Sequence, residues 1–172
     1  MIEVKNIKKS YGDRVVLNNV NLQFQKNNIT VLLGKSGEGK TTLFRIIAGI
    51  EAQDEGQVVI DNSKTTMVFQ DNQLYPHLNV FNNLVLPQRV ILKRNKKEAT
   101  IVSENILKRL NIEYLKYSTV ESLSGGEAQR VAIARALAMD KEIILFDEPT
   151  SALDRENTAN LIGLLKNLKL DK

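Results

Sequence analysis

The sequence predicts an α/β fold from three observations. An apolar run, Ile29–Leu33, ends in glycine, and a helix is predicted directly after it from Lys40 to about Ala48. A second apolar run, Ile143–Phe146, follows a predicted helix from about Gly126 to Met139, and its composition suits a strand covered on both faces. Strands that alternate with helices in this way are typical of an α/β core.

The N-terminal part of the chain predicts antiparallel strands joined by tight turns. Short apolar pieces alternate there with polar turn residues around Gly12 and Asn27. Two further short strands are expected before residue 70. The predicted strand segments are Ile2–Val4, Val15–Leu17, Leu22–Phe24, Val58–Ile60 and Thr66–Phe69.

The middle of the chain is predicted to be helical. Apolar residues recur there at roughly helical spacing from Leu78 to about Tyr117, with a break expected around Pro87 and a polar turn near Asn95. A last helix is predicted from Arg155 to about Leu168. We therefore expect a single domain over residues 1–172, with a helical subdomain at about residues 72–135.

Composition excludes several classes of protein. The chain has no cysteine and a single histidine, His77, so neither a disulfide framework nor a histidine-rich metal site is expected. The net charge of +4 comes from 24 basic and 20 acidic residues. These charges are mixed along the chain, which argues against nucleic acid as a partner. No apolar run approaches the roughly 20 residues that span a bilayer, so we expect a cytoplasmic protein without direct membrane insertion.

Residues 34–41 have the sequence Gly-Lys-Ser-Gly-Glu-Gly-Lys-Thr, which satisfies the phosphate-loop spacing between a strand and a helix. Glycines let successive backbone N–H groups turn inward, and the helix N-terminus adds the positive end of its dipole. Lys40 is expected to reach the β- and γ-phosphates of a nucleotide, and the Thr41 hydroxyl to bind Mg²⁺. The loop therefore predicts a nucleoside triphosphate, with ATP and Mg²⁺ as ligands.

Two carboxylates follow the apolar run Ile143–Phe146. Asp147 is placed to lie beside the metal-bound phosphate, and Glu148 to polarise an attacking water as general base. An Asp-Glu pair alone is a weak signal. Downstream of a phosphate loop and directly after a buried strand, it becomes a strong one.

Four further features carry a family resemblance. Residues 123–137, Leu-Ser-Gly-Gly-Glu followed by Ala-Gln-Arg-Val-Ala-Ile-Ala-Arg-Ala-Leu, resemble the signature motif of ABC transporter ATPases. Ser151–Asp154 resembles the D-loop of that family, Gln70 its Q-loop glutamine, and Tyr11 the aromatic residue that stacks on adenine. The motifs occur in the family's order and cover nearly the whole chain.

The resemblance implies a P-loop NTPase core with a mixed or parallel sheet, an N-terminal antiparallel β subdomain and a helical signature-motif subdomain. It also implies a homodimer in which two ATP molecules are sandwiched between subunits. Closing and opening of that pair would move a transmembrane permease subunit. The chain is thus expected to be an ATP-hydrolysing transport subunit, peripheral on the inner face of the membrane through its partner.

By the same resemblance, site residues are assigned in three groups. Catalytic roles are implied for Glu148, Gln70 and Lys40. Metal binding is implied for Thr41, Gln70 and Asp147. Nucleotide contacts are implied for Tyr11, Gly34, Ser36, Gly37, Gly39, Lys40, Thr41, Thr42, Ser124, Gly125, Gly126 and Glu127.

The sequence departs from the family pattern at two places. Glu127 stands where the family usually has Gln, and no strand with a switch histidine follows Asp154 and its helix. His77 is expected to be an exposed helix-entry residue and not a substitute. We interpret the chain as a C-terminally shortened form of a longer subunit, with a compact natural variant second. Mg-ATP is expected to bind, and turnover to be impaired.

Other functions remain open at this stage. Residues 84–90 and 96–99 are similar to importers of polar amino acids, and also close to exporter and lipoprotein-release subtypes. One alternative is a soluble cassette ATPase that acts on nucleic acid or the ribosome, although tandem cassettes and long coiled-coil insertions are not found. Another is a nucleotide-binding regulatory module with impaired hydrolysis. The transported molecule and the direction of transport are not determined by the sequence.

Overall fold

The computed structural model describes residues 2–25, 27–60, 64–150, 158–159, 161–163 and 165–166. Contacts divide these residues into two compact units, one built mainly from Met1–Thr65 and the other from Thr66–Leu164. Half of the predicted last helix, Arg155 to about Leu168, lies within the described residues, and those residues (158–159, 161–163 and 165–166) are helical. Ser151–Asp154 lies entirely outside the described residues. The predicted single domain and its subdomain boundaries stay predictions.

The first unit is built on a three-stranded antiparallel sheet. Strands β1 (Ile2–Tyr11) and β2 (Arg14–Phe24) form a hairpin, and β3 (Glu55–Val59) pairs with the other edge of β1. Gly12 makes the hairpin turn with φ of 57°, a conformation that glycine adopts without a steric penalty. The predicted segments Val15–Leu17 and Leu22–Phe24 therefore belong to one strand.

Helix α1 (Lys40–Ile47) belongs to the first unit, and it forms where the sequence predicts it. Its apolar side chains Leu43, Ile46 and Ile47 are buried, at the spacing that places residues on one helical face. Gly49, with φ of 72°, follows the end of the helix, as the sequence predicts.

The prediction of a buried strand at Ile29–Leu33 is wrong. The structure assigns no strand to this segment. Its side chains are exposed by 51% at Ile29, 71% at Val31 and 87% at Leu33. A strand requires a hydrogen-bonding neighbour, and none of the strands in the described ranges pairs with these residues. The apolar composition of this segment therefore predicted a strand, but a strand forms only where a partner strand pairs with it.

The second unit contains a two-stranded parallel sheet. Strand β4 (Thr65–Val68) pairs with β5 (Ile143–Phe146), and all but its first residue belong to the second unit. Val68 and Leu145 are buried, whereas the other residues of both strands are half-buried. The expectation that β5 is covered on both faces therefore holds for Leu145 alone.

Three helices form the core of the second unit. They are α2 (Val80–Val90), α3 (Lys96–Arg109) and α4 (Gly125–Ala138), and two 3₁₀ turns connect α3 to α4. No helix in the described part of the chain combines the length and apolar character that crossing a bilayer requires. The fully buried apolar side chains include Val80, Leu84, Leu107, Leu110, Ile112, Val131 and Ile133.

The predicted break at Pro87 is also wrong, because α2 runs through it to Val90. Proline inside a helix removes a backbone donor and costs about 3 kcal/mol. The neighbouring side chains compensate, since Leu84 and Gln88 are fully buried. The Gln88 amide nitrogen donates to Ser103 Oγ at 2.8 Å and to Leu84 O at 3.0 Å. Packing and buried hydrogen bonds thus outweigh the local preference.

The predicted polar turn near Asn95 is confirmed as the start of α3. The Asn95 side chain accepts a hydrogen bond from Glu98 N at 2.9 Å, and Glu98 accepts one from Asn95 N at 3.2 Å. This reciprocal pair satisfies two backbone donors that the first turn of a helix otherwise leaves without partners. The chain can therefore leave α2 and enter α3 within a few residues.

Candidate functional site

The loop that precedes α1 is shaped by two glycines with positive φ. Gly37 has φ of 81°, and Gly39, which caps α1, has φ of 89°. A Cβ atom at Gly39 would lie 2.8 Å from Val16 Cγ1 and 2.9 Å from Leu17 Cδ2. Only glycine fits this position, so the N-terminus of α1 is seated directly against β2.

The Lys40 side chain folds back over the loop. Its amino group donates to Lys35 O at 2.7 Å and to Gly34 O at 2.9 Å. The two carbonyl groups thus position the Lys40 ammonium within the loop. Helix α1 adds the positive end of its dipole at the same place. The loop can therefore hold an anion such as a phosphate group.

The loop also contains a carboxylate. Glu38 accepts a hydrogen bond from Lys35 N at 2.9 Å, and its side chain is close to Gly34, where a Cβ would lie 2.7 Å from Glu38 Oε2. No role for Glu38 is predicted from the sequence. An acidic residue inside an anion-binding loop can be recognised in the sequence. The negative charge of Glu38 opposes the positive charge of Lys40.

Tyr11 lies at the end of β1, with its ring about half exposed. Its hydroxyl group donates a hydrogen bond to Glu51 and also contacts Thr42, on the first turn of α1. The hydrogen bond to Glu51, followed by burial, raises the pKa of Tyr11. The Lys9 ammonium lies 5.5 Å from the ring centroid, within range of a cation–π contact. Tyr11 is thereby held beside the first turn of α1, with about half of its surface exposed.

Asp147 and Gln70 lie at the ends of the two paired strands of the second unit. Asp147 N donates to Val68 O at 3.0 Å, which ties the end of β5 to the end of β4. Asp147 is 3% exposed, whereas Gln70, two residues beyond Val68, is exposed. Glu148 is half-buried and has φ of 45°, an uncommon conformation for a residue with a side chain.

The glycine-rich segment before α4 forms a second helix N-terminus. Ser124 caps α4 and makes a capping box with Glu127. Ser124 and Gly125 are exposed, and a Cβ at Gly125 would meet nothing within 4 Å. Backbone N–H groups in the first turn of a helix have no partner within it, so this exposed segment can also receive an anion.

Glu127 is held by three hydrogen bonds. Its Oε2 accepts from Ser124 Oγ at 2.7 Å and from Ser124 N at 2.8 Å, and its Oε1 accepts from the Tyr114 hydroxyl at 3.0 Å. The bonds from Ser124 are the main cause of the lowered pKa of Glu127. The bond to Glu127 in turn raises the pKa of Tyr114.

The predicted residues thus fall into two sets. The first unit brings together Tyr11, Gly34, Ser36, Gly37, Gly39, Lys40, Thr41 and Thr42, and the second holds Gln70, Ser124, Gly125, Gly126, Glu127, Asp147 and Glu148. Glu51 and Tyr114 are not among the residues predicted from the sequence. They are far from Tyr11 and Glu127 in the chain, and a lone Glu or Tyr gives no local signal.

The residues present fit ATP with Mg²⁺. Gly39 and the adjacent Lys40 ammonium suit a polyphosphate, because the N-terminus of α1 and a positively charged side chain lie next to each other there. Each unit also offers an oxygen ligand of the kind that Mg²⁺ prefers, the Thr41 hydroxyl group in the first unit and the Asp147 carboxylate in the second. Mg²⁺ binds through one or two such groups plus phosphate oxygens, and so needs no cluster of protein ligands.

An α/β fold with a phosphate loop and a second glycine-rich helix N-terminus defines a P-loop nucleotide-binding protein. The family model described as ABC transporter matches residues 17–151. The chain belongs to the ABC transporter family, as an ATP-binding domain. The predicted family is confirmed, and so is the predicted fold class.

Relatives and solved structures agree with this assignment. The glutamine transport ATP-binding protein GlnQ of Bacillus subtilis (strain 168) is 39% identical over 182 residues, covering 98% of this chain and 75% of that protein. The glutamate/aspartate import ATP-binding protein GltL of Escherichia coli (strain K12) is also 39% identical over 182 residues, covering 98% and 76%. The dimeric structure of MJ0796, a bacterial ABC transporter cassette, has a TM-score of 0.88 and 34% identity, covering 99% and 84%.

Proposed function

We propose that this chain binds and hydrolyses ATP to drive amino-acid import through a transmembrane permease. The observation that carries the proposal is the loop before α1, where the Lys40 ammonium and the helix N-terminus converge within a chain of the ABC family. The amino-acid class rests on the relatives, since GlnQ and GltL are named for glutamine transport and for glutamate/aspartate import.

Nucleotide binding uses the groups of the first unit. Phosphate oxygens replace the carbonyl groups of Gly34 and Lys35 as acceptors for Lys40, and an anionic acceptor makes the stronger hydrogen bond. Backbone N–H groups of the loop, with Ser36 among its residues, surround the phosphates. The half-exposed ring of Tyr11 stacks on the base. Glu51 holds that ring in place by accepting a hydrogen bond from the Tyr11 hydroxyl group.

Hydrolysis uses carboxylates of the second unit. Mg²⁺, when bound, supplies positive charge to the phosphate oxygens. By the family's motifs, Thr41 and Asp147 would each be a ligand of Mg²⁺, and Gln70 would contact the metal or the attacking water. Glu148 accepts a proton from the attacking water. The water oxygen bonds to the γ-phosphorus as the bond from that phosphorus to ADP breaks, and ADP leaves.

Coupling to transport requires a pair of subunits. The exposed N-terminus of α4, formed by Ser124, Gly125 and Gly126, faces the γ-phosphate that is bound by a second copy of the chain. A two-fold pair therefore closes over two ATP molecules and opens after hydrolysis. The permease follows that motion, so ATP binding and hydrolysis drive transport.

The test of nucleotide binding compares Lys40→Ala with Lys35→Ala. Both remove one positive charge from the same loop, but only the first removes an ammonium that donates within it. We expect Lys40→Ala to weaken ATP binding by roughly tenfold or more, as for loss of a charge-assisted hydrogen bond. Titration of a fluorescent ATP analogue measures both. Equal affinity for Lys40→Ala and the parent protein would refute the proposal.

The amino-acid class is tested separately, in the native host. Deleting the gene is expected to reduce uptake of labelled glutamine, glutamate or aspartate, and the parent gene, but not its Lys40→Ala form, restores it. Uptake of all three that is unchanged by the deletion would contradict amino-acid import and leave ATP binding unaffected.

A further inference from the structure

The Glu127 carboxylate takes both hydrogen-bond donors of Ser124, the capping residue of α4. The carboxylate accepts from the backbone N–H and from the hydroxyl group of Ser124, at 2.8 and 2.7 Å. A serine hydroxyl has only one proton to donate. While that proton is donated to Glu127, Ser124 presents lone pairs, and not a donor, to any other oxygen.

The carboxylate is held in this position as an anion. The hydrogen bonds from Ser124, with a smaller contribution from Tyr114 and the positive charge of Arg130, lower the pKa of Glu127. Tyr114 anchors the second carboxylate oxygen at 3.0 Å. A negative charge is thus fixed next to the exposed end of α4.

A phosphate that approaches Ser124 meets this negative charge. We propose that Glu127 acts as a built-in brake on the ATP-bound pair, because it holds the Ser124 hydroxyl and repels the γ-phosphate of the second copy. The inference rests on the proposed pairing of two subunits over ATP. It assigns Glu127 a positioning role that acts through Ser124, with no contact to the reacting atoms.

Glutamine at this position would lack the brake and keep the helix. A capping box accepts either Glu or Gln at the third helical residue, so Glu127→Gln preserves the start of α4. The neutral amide removes the charge and holds the Ser124 proton less strongly. Glu127→Gln therefore tests the effect of the charge on pairing of two subunits without changing the fold of α4.

The experiment measures dimer formation with Mg²⁺ and the slowly hydrolysed analogue ATPγS, by analytical ultracentrifugation. The parent protein is compared with Glu127→Gln and with Glu121→Gln, which removes the same charge from an exposed residue of the preceding turn. We expect Glu127→Gln to lower the dimer dissociation constant by roughly four- to twenty-five-fold, since an exposed charge contributes two- to fivefold and the pair contains two sites. Glu121→Gln is expected to change it less than about twofold.

Salt and single-subunit binding distinguish the outcomes. The gain from Glu127→Gln should shrink as salt screens the charge, which loss of a structural contact would not produce. If all three proteins bind ATPγS as single subunits and Glu127→Gln pairs no better than Glu121→Gln, the brake is refuted and ATP binding stands. If the parent protein binds no ATPγS, the proposed function fails and the brake with it. If all bind the analogue and none pairs, the brake is also refuted.

Discussion

Gly39 offers the sharpest test of how the phosphate loop is built. Its φ is 89°, and it caps a helix whose N-terminus lies against β2. Replacing it with alanine adds a single methyl group. Gly12→Ala is a matched control, because Gly12 also has positive φ, 57°, but a Cβ there meets nothing within 4 Å.

The expected loss of unfolding free energy has two contributions. A residue with Cβ in the left-handed region costs about 1–2 kcal/mol, and this cost applies to both substitutions. At Gly39 the methyl group would also lie 2.8 Å from Val16 Cγ1 and 3.1 Å from Val16 O. Relieving such overpacking costs about 1–3 kcal/mol more. We therefore expect Gly39→Ala to lose about 2–5 kcal/mol, against about 1–2 kcal/mol for Gly12→Ala.

The assay is urea unfolding, followed by far-ultraviolet circular dichroism because the chain has no tryptophan. Titration with a fluorescent ATP analogue follows on the folded proteins. Gly39→Ala is expected to weaken nucleotide binding as the loop shifts away from Val16, whereas Gly12→Ala leaves binding near the parent value. Unfolding free energies that agree within about 0.5 kcal/mol for the two variants would show that the close approach to β2 does not constrain the loop.

Two further predictions concern the second unit. Glu148→Gln is expected to reduce ATP turnover by about a hundredfold or more, as for loss of a general base, while ATP affinity changes less than about threefold. Turnover is measured as phosphate release, with Glu142→Gln as the control. Undiminished turnover in Glu148→Gln would exclude Glu148 as the base. Arg94→Ala removes donors at 2.9 Å from the buried Gln88 Oε1 and from Ala138 O, so urea unfolding should show a loss of about 2–4 kcal/mol. The exposed Arg89→Ala is its control, and equal stability of the two variants would contradict this account of Gln88.

Local spacing explains why much of the site was predictable. The phosphate loop, the carboxylates after β5 and the signature segment are each contiguous, and each begins or ends a helix or strand. Their chemistry depends on groups a few residues apart, such as Ser124 and Glu127, so the sequence alone identified them. The start of α3 at Asn95 was predictable for the same reason.

The structure decided what depends on distant residues. Tyr11 is held by Glu51, and Glu127 by Tyr114, across separations of 40 and 13 residues. No periodicity in the sequence connects such pairs. Pro87 stays helical because Leu84 and Gln88 are buried, which is a property of the packed helices and not of the local sequence.

The sequence by itself determined the family, the fold class and the position of each motif, because these follow from residue types at short spacing. Only the tertiary structure decided which apolar segments are covered. Ile29–Leu33 has the composition of a buried strand but is exposed, since a strand is stabilised by the neighbour that pairs with it. Burial and pairing depend on residues that are distant in the chain, and composition does not encode them.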